Sequence, residues 1–156
     1  MADLAQTEGR LPGRAAQLLG GRQVLGHEVT TALEAHEIIV GGLPNEALQH
    51  LIAGLLLLDP RTSVEKAVGA SYRTFERGKN KPHELLSAGL GGRTWKFAEI
   101  LARATTVFGT RAEAERWLDS PAMALEQRRP IDLLASPVGV ELVEDLLGRI
   151  EYGVYT

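Results

Sequence analysis

The chain has 156 residues, enough for one domain or two small ones, and 44% of them are hydrophobic against 24% charged, as in an ordinary globular protein. It has no cysteine, which excludes disulfides and thiolate metal sites, and its net charge of -3 gives no overall basic signal for nucleic acid. The most apolar run, residues 51–58, is too short to cross a bilayer, and the acidic N-terminus lacks a hydrophobic signal core. These features predict a soluble, cytoplasmic protein.

The N-terminal segment has the weakest pattern. Residues 1–26 are rich in Gly, Ala, Arg and Gln with little periodicity, which predicts a flexible arm with at most one short helix. Further on, "EIIVGG" places Ile38, Ile39 and Val40 before two glycines, which favours a short strand. An isolated strand needs a partner, and the same strand of a second copy would supply one. Residues 1–40 are therefore predicted to be an arm that could dimerise.

Helical signals follow in quick succession along the rest of the chain. In the first of these predicted helices, residues 44–58, Leu56 and Leu57 widen the apolar stripe. This pattern predicts that the helix is buried on most sides. Leu142 falls in the core stripe of the last helix. The fold class is therefore predicted to be all-α, with at most one short N-terminal strand. The predicted helices occupy residues 44–58, 61–69, 71–81, 87–108, 110–120, 129–135 and 136–150.

Residues 62–79 have the outline of a helix-turn-helix, because two short helices flank a turn at Gly69. The surrounding segment, 61–96, has eight Lys/Arg and three Asp/Glu, a net charge of +5 that would attract phosphates. Glu65 stands where such motifs usually have alanine, so an αα-hairpin with a basic rim is the alternative. Candidate DNA-binding residues on or after the second helix are Tyr72, Arg73, Thr74, Arg77 and Lys79.

Catalytic and metal-binding patterns are missing from the sequence. The four histidines have no metal-ligand spacing, and there is no Ser-His-Asp or Cys-His arrangement. The glycine-rich segments do not follow a strand into a helix, so a phosphate-binding loop is not expected. The sequence thus predicts a protein without enzymatic activity, metal or cofactor.

The last 50 residues carry a more specific pattern. "WL" at 117–118, "PIDLL" at 130–134 and "IEYGV" at 150–154 occur in an order and spacing that resemble the toxin-binding domain of the Xre/MbcA/ParS antitoxins. The preceding region, with "GLP" and "RTFERGK", resembles the Xre-like helix-turn-helix domain of that family. The resemblance divides the chain into the arm, an Xre-like domain at 41–108 and a toxin-binding domain at 109–156.

The resemblance implies the antitoxin of a type II toxin-antitoxin system. Its partner would be a RES-domain toxin, which destroys NAD or transfers ADP-ribose, and the antitoxin would block the active-site entrance. It also implies binding to the promoter DNA of its own operon, and a homodimer within a hetero-oligomeric complex. Relatives usually have Gly-Gly where this chain has Glu126 and Gln127.

Toxin contacts are expected from arginines and from the terminal residues, since no helix remains beyond Gly153 to bury the latter. These candidates are Arg128, Arg129, Arg149, Glu151, Tyr152, Val154 and Tyr155. The alternative is a stand-alone DNA-binding repressor whose C-terminal domain serves only to dimerise it. Binding of a toxin encoded by the adjacent gene would discriminate between the two.

Overall fold

The structure is a computed structural model that describes residues 3–153. Within this range the chain forms α-helices, one π-helical segment and two 3-10 turns, and its β pairing amounts to two single bridges. The all-α prediction is confirmed. In chain order the helices are α1 (Asp3–Leu18), α2 (Gly21–Leu25), α3 (Ala32–Gly41), α4 (Asn45–Ala53), α5 (Pro60–Thr62), α6 (Tyr72–Gly78), α7 (Ala88–Phe108), α8 (Arg111–Leu118) and α9 (Pro137–Glu151).

Helix α7 is the centre of the fold, and α1, α3, α8 and α9 pack against it. Ser87 caps its start by accepting the backbone N–H of Leu90 at 3.2 Å, so the glycines that follow begin the helix rather than interrupt it. Its fully buried side chains include Phe97, Ile100 and Leu101. No helix in residues 3–153 combines the length and the hydrophobicity that a membrane span requires.

The N-terminal segment belongs to the folded body. Ala15, Ala16 and Leu19 are at most 4% exposed, and α1 packs along α7. Weak periodicity misled the sequence-based prediction of a flexible arm, because small residues such as alanine can line a helix interface without a strong apolar stripe. Whether this segment dimerises stays a prediction.

The predicted strand at residues 38–40 is wrong, since these residues lie in α3. A capping box fixes the start of that helix: the Thr31 side chain accepts the Glu34 N–H, and the Glu34 carboxylate accepts the Thr31 N–H at 3.1 Å. Ile38 is buried, and the helix ends where the Gly42 N–H donates to the Ile38 carbonyl at 2.9 Å. Capping and burial on one face thus outweigh the β propensity of the branched residues.

The predicted helix at 44–58 is too long, because α4 ends at Ala53. The leucines that follow form a loop, in which Leu56 and Leu57 are 62% and 50% exposed rather than buried. The reason lies in α8. The carboxylate of Glu115 accepts the backbone N–H groups of residues 56, 57 and 58 at 2.8 to 3.0 Å. Three N–H groups that a helix would direct toward its own carbonyls are therefore bound to a side chain 57 to 59 residues away.

Glu115 is completely buried, and its nearest cation is Arg111, whose Nε lies 3.4 Å from a Glu115 carboxylate oxygen. The Arg111 guanidinium lies against Gly54, where a Cβ atom would be 3.2 Å from its Nη2. A buried carboxylate is tolerated only when hydrogen bonds and an opposite charge compensate for its lost hydration. The loop and Arg111 supply both.

The helix-turn-helix outline is present. Helix α5 continues into a π-helical segment, Ser63–Val68, and Gly69 turns the chain at φ +79° before α6. Val64, Val68 and Phe75 are buried on this hairpin. The Gly69 N–H donates to the carbonyl of residue 64, five positions back, so Glu65 faces outward and pairs with Arg61 at 3.4 Å. The wider turn explains how this hairpin accepts a glutamate at the usual alanine position.

Replacing Glu115 by alanine should lower the free energy of unfolding by about 3 kcal/mol, because three backbone N–H groups lose their acceptor and the part-buried Arg111 loses its opposite charge. Glu113→Ala is the matched control: Glu113 lies on the same helix but is exposed, so we expect a loss below about 1 kcal/mol. Urea denaturation followed by circular dichroism measures both. Equal losses in the two variants would contradict the role assigned to Glu115.

Candidate functional site

Helix α9 has one buried and one exposed face. Ser136 caps it by accepting the Gly139 N–H at 3.0 Å, and Pro137 occupies the first turn. A Cβ at Gly139 would lie 1.8 Å from the Leu133 carbonyl oxygen, so only glycine permits this approach to the preceding 3-10 turn. Val143 and Leu147 are fully buried on the inner face.

The opposite side of α9 is an exposed stripe that we call the α9 outer face: Val138, Leu142, Asp145, Arg149 and Tyr152. Their spacing of four and three residues places them along one side of the helix. Val138, Leu142 and Tyr152 are 67%, 49% and 64% exposed. The assignment of Leu142 to the core was therefore wrong, because α9 packs on one side only and its apolar stripe is wider than the surface it covers.

Two of the predicted toxin-binding residues meet in one groove. Arg149 and Tyr152 line it together with Arg103 and Asp145, and its volume is about 460 Å³. Glu151 is exposed at its margin, where its carboxylate lies 3.8 Å from the Nε of Arg103. The predicted contacts Val154 and Tyr155 lie outside the described residues.

A second groove of about 460 Å³ runs between the first half of α9 and α7. Its floor includes Phe97 and Val140. Lys96 stands at its edge, between Glu99 at 2.9 Å and Glu144 at 3.4 Å. Burial disfavours the charge on Lys96, but its hydrogen bond to Glu99 and the charges of both glutamates raise its pKa overall. The two grooves thus follow one another along α9, and Glu144 lines both of them.

The other two predicted contacts, Arg128 and Arg129, do not line either groove. Arg129 donates to both carboxylate oxygens of Asp132 at 2.8 and 3.0 Å and to Asp119 at 2.8 Å. The hydrogen bonds to Asp132 are the main reason that the pKa of Arg129 is raised, so this guanidinium joins the end of α8 to the 3-10 turn. Arg128 is exposed, with its Nη1 3.0 Å from Glu126.

Arg128 ends a tight turn formed by Glu126 and Gln127, the two residues that replace the usual Gly-Gly of the family. Glu126 and Gln127 both adopt positive φ angles, +53° and +64°. The Arg128 N–H donates to the Leu125 carbonyl at 3.1 Å across them. Two successive positive φ angles define a type I′ turn, which favours glycine. The chain keeps the conformation that glycines would adopt and presents two polar side chains there.

The candidate DNA-binding residues differ in their surroundings. Arg73 and Arg77 are exposed and lie four residues apart on α6. Tyr72 is half-buried, with the Arg61 guanidinium 4.5 Å from its ring centre, and its hydrogen bond to Glu76 raises its pKa.

The remaining two candidates on this hairpin are engaged locally. The Thr74 hydroxyl accepts from the Ser71 hydroxyl at 2.8 Å, next to the cap of α6, and Lys79 pairs with Glu76 at 3.0 Å. Of the five candidates, Arg73 and Arg77 are therefore the best placed to bind an external anion such as a phosphate.

Comparison with known proteins concerns the region that contains α8 and α9. Residues 103–153 match the family described as the antitoxin Xre/MbcA/ParS C-terminal toxin-binding domain. The C-terminal third of the chain is thus similar to this toxin-binding domain, and two curated relatives are antitoxins. The α9 outer face and its C-terminal groove lie within the residues that match the toxin-binding domain.

Two curated relatives extend the similarity beyond this domain. Antitoxin Xre of Yersinia enterocolitica is 29% identical over 103 residues, which cover 62% of this chain and 66%, just under two thirds, of the relative. Antitoxin Xre of Pseudomonas putida is 28% identical over 126 residues, which cover 81% of this chain and 76% of the relative. The similarity to the second relative is longer than the toxin-binding domain, so it includes residues from the preceding part of this chain.

Sequence reasoning missed Val138, Leu142 and Glu115. The first two had a signal, since they continue the spacing of Arg149 and Tyr152 toward the start of α9. For Glu115 the sequence signal was weaker: it stands beside Ala114 and three residues before Leu118, which places it on the apolar side of α8. Within residues 3–153 no group of three His, Asp or Glu side chains could hold a metal ion.

Replacing both Glu126 and Gln127 by glycine should raise the free energy of unfolding by about 1 kcal/mol. Glycine removes the cost of two left-handed side-chain-bearing residues, which outweighs its greater entropy in the unfolded chain. Glu141→Gly, at an exposed position inside α9, is the control and should lower stability by about 1 kcal/mol. Thermal and urea denaturation distinguish the two directions, and destabilisation by the double variant would contradict the strain argument.

Proposed function

We propose that this antitoxin neutralises a RES-domain, NAD-consuming toxin by covering the entrance to its active site, and that it does so by binding rather than by catalysis. The observation that carries the proposal is the α9 outer face. Large apolar side chains that are exposed on one side of a helix and bordered by charged residues are typical of protein–protein contact surfaces. Here Val138, Leu142 and Tyr152 lie on one side of a helix within the toxin-binding domain.

The chemistry of this face fits such a partner. Interface energies concentrate in aromatic, arginine and well-buried apolar anchors surrounded by polar residues. Leu142 and Tyr152 supply apolar anchors, while Arg149 and Arg103 place two cations at the C-terminal groove. A cleft that accepts NAD must bind its two phosphates, so an arginine can occupy a phosphate position there. Inhibition by occupancy needs no reaction on the antitoxin.

Inhibition by direct protein contact defines a type II system, and we propose that the complex forms in the cytoplasm, where NAD is available to the toxin. Among the predicted contacts, Arg149, Glu151 and Tyr152 are the strongest candidates because they border one groove. Arg128 would act from the neighbouring turn. Arg129 would contribute indirectly by holding that turn against α8.

Leu142→Glu and Tyr152→Ala should each weaken binding to the toxin encoded beside the antitoxin at least tenfold, because each removes a central anchor. Leu33→Glu, at a residue 66% exposed on α3, and Arg116→Ala, at an exposed position on α8, are the controls and should leave affinity within about twofold. Titration calorimetry and residual NAD consumption provide two readouts. Tight binding by both α9 variants would refute the proposed surface.

A second function is supported by the basic hairpin: we propose that α6 binds the promoter of the antitoxin's own operon and represses it. Arg73 and Arg77 stand exposed on the second helix of the helix-turn-helix, beyond a left-handed turn at Gly69. Arginines in that position contact phosphates or guanine edges. A stand-alone repressor would show this activity without toxin binding, so the two assays together separate the alternatives.

Arg73→Ala combined with Arg77→Ala should weaken promoter binding at least tenfold and flatten its salt dependence by about one unit per lost phosphate contact. Arg22→Ala combined with Arg116→Ala removes the same charge from exposed positions on α2 and α8, and should have little effect. Gel retardation at several salt concentrations measures both. Similar losses in the two double variants would indicate nonspecific attraction only.

A further inference from the structure

The groove between α7 and the first half of α9 has an apolar interior. Phe97 and Ile100 of α7 line it, and Val140 of α9 lines it from the facing helix. Its volume of about 460 Å³ falls in the range of roughly 300 to 1,000 Å³ that is usual for small-molecule sites. An apolar group placed here would be removed from water, which is favourable.

Three parts of the chain meet at this groove. Ala67 reaches it from the π-helical segment Ser63–Val68 of the hairpin, Phe97 from α7, and Leu134 from the 3-10 turn that precedes α9. Sites for small molecules often lie where separate elements of a fold meet, because such junctions leave concave space. The α9 outer face and this groove have no residue in common.

Arg93 of α7 lies in the wall of the groove and is half-buried. Its Nη2 atom is 3.5 Å from the Leu134 carbonyl oxygen, and its guanidinium lies against Gly69, where a Cβ atom would collide with it. Among the side chains of residues 11–153, no aspartate or glutamate forms an ion pair with Arg93. A guanidinium has five N–H donors and stays charged at neutral pH, so Arg93 retains donors for an external anion.

The other charged groups of the groove differ from Arg93. Lys96 lies 2.9 Å from Glu99 and 3.4 Å from Glu144, so two carboxylates already compensate its charge. Glu141 lines the groove from an exposed position, where water hydrates it. Arg93 is therefore the cation for which an anionic ligand would supply the missing opposite charge.

We propose that this groove binds a small amphipathic carboxylate, an anion with one carboxylate and an apolar body. The carboxylate accepts hydrogen bonds from the guanidinium of Arg93, a pairing that is strong because both groups are charged. The apolar body lies against Phe97, Ile100 and Val140. This site is independent of the proposed toxin and promoter binding, because it involves neither the α9 outer face nor the arginines of α6.

Decanoate is a suitable probe, because it combines the two features and stays soluble. Calorimetric titration of the full chain should show saturable binding at one site, with a dissociation constant on the order of 100 µM. Because the ligand binds the folded chain, it should also raise the melting temperature in a concentration-dependent way. Absence of saturable binding up to about 5 mM would overturn the proposal.

Two further probes separate the charge from the apolar body. Acetate has the carboxylate without the apolar body, and decylammonium has the apolar body with the opposite charge. Each should bind at least about tenfold more weakly than decanoate, since each lacks one of the two contacts. Decylammonium binding as tightly as decanoate would show that Arg93 does not select the ligand, and the proposal would fall.

Substitution of the arginine tests the anion contact. Arg93→Gln should weaken decanoate binding at least about tenfold, while Arg22→Gln, at an exposed position on α2, should change it less than about twofold. Arg93 also contacts Gly69 and the Leu134 carbonyl, so urea denaturation of Arg93→Gln checks that the fold persists. Equal affinities of the two variants for decanoate would contradict the assigned contact.

A second substitution fills the groove and keeps Arg93. Val140→Phe should abolish decanoate binding, because the larger side chain occupies the space of the apolar body. Val40→Phe makes the same change at a residue 65% exposed on α3 and should leave binding unchanged. Unchanged binding by Val140→Phe would place the ligand elsewhere and overturn the proposal. If decanoate does not bind and Val140→Phe weakens toxin binding, the occupant of the groove is the toxin and the proposal also falls.

Discussion

The fold depends on one buried carboxylate. Glu115 on α8 accepts three backbone N–H groups from the loop after α4 and lies beside Arg111. This set of bonds ends α4 early, turns Leu56 and Leu57 outward, and fixes the point from which α5 and the helix-turn-helix begin. A helix of the toxin-binding region therefore determines where the DNA-binding candidate starts. Such a buried charge is stable only when every neighbour that satisfies it is present.

The toxin-binding region packs against α7 on one side, and its opposite side is exposed to solvent. Gly139 brings α9 against the Leu133 carbonyl, and Arg129 holds the preceding turn to α8 through two aspartates. Side chains mounted on a well-fixed helix lose little entropy when a partner binds, because their positions are already restricted. The α9 outer face is thus suited to inhibition by occupancy, which depends on affinity alone.

The proposed binding surfaces are separate from one another. The basic pair Arg73 and Arg77 and the α9 outer face belong to different helices, α6 and α9. Each has a chemistry suited to its proposed partner: cationic for DNA, and mixed aromatic and cationic for a toxin. Distinct surfaces would let the two partners bind at the same time. Glu115 links the toxin-binding region to the helix-turn-helix, because it joins α8 to the loop that precedes α5.

The sequence alone determined the helical class, the left-handed turn at Gly69 and the resemblance of the C-terminal region, because these depend on neighbouring residues or on a fixed order of residues. Only the tertiary structure decided the helical state of residues 38–40, the end of α4 and the exposure of Leu142. Each of these depends on a surface or a hydrogen-bond acceptor supplied from elsewhere in the chain. Local patterns set what a segment can form, and long-range contacts decide which face is covered and which is left for a partner.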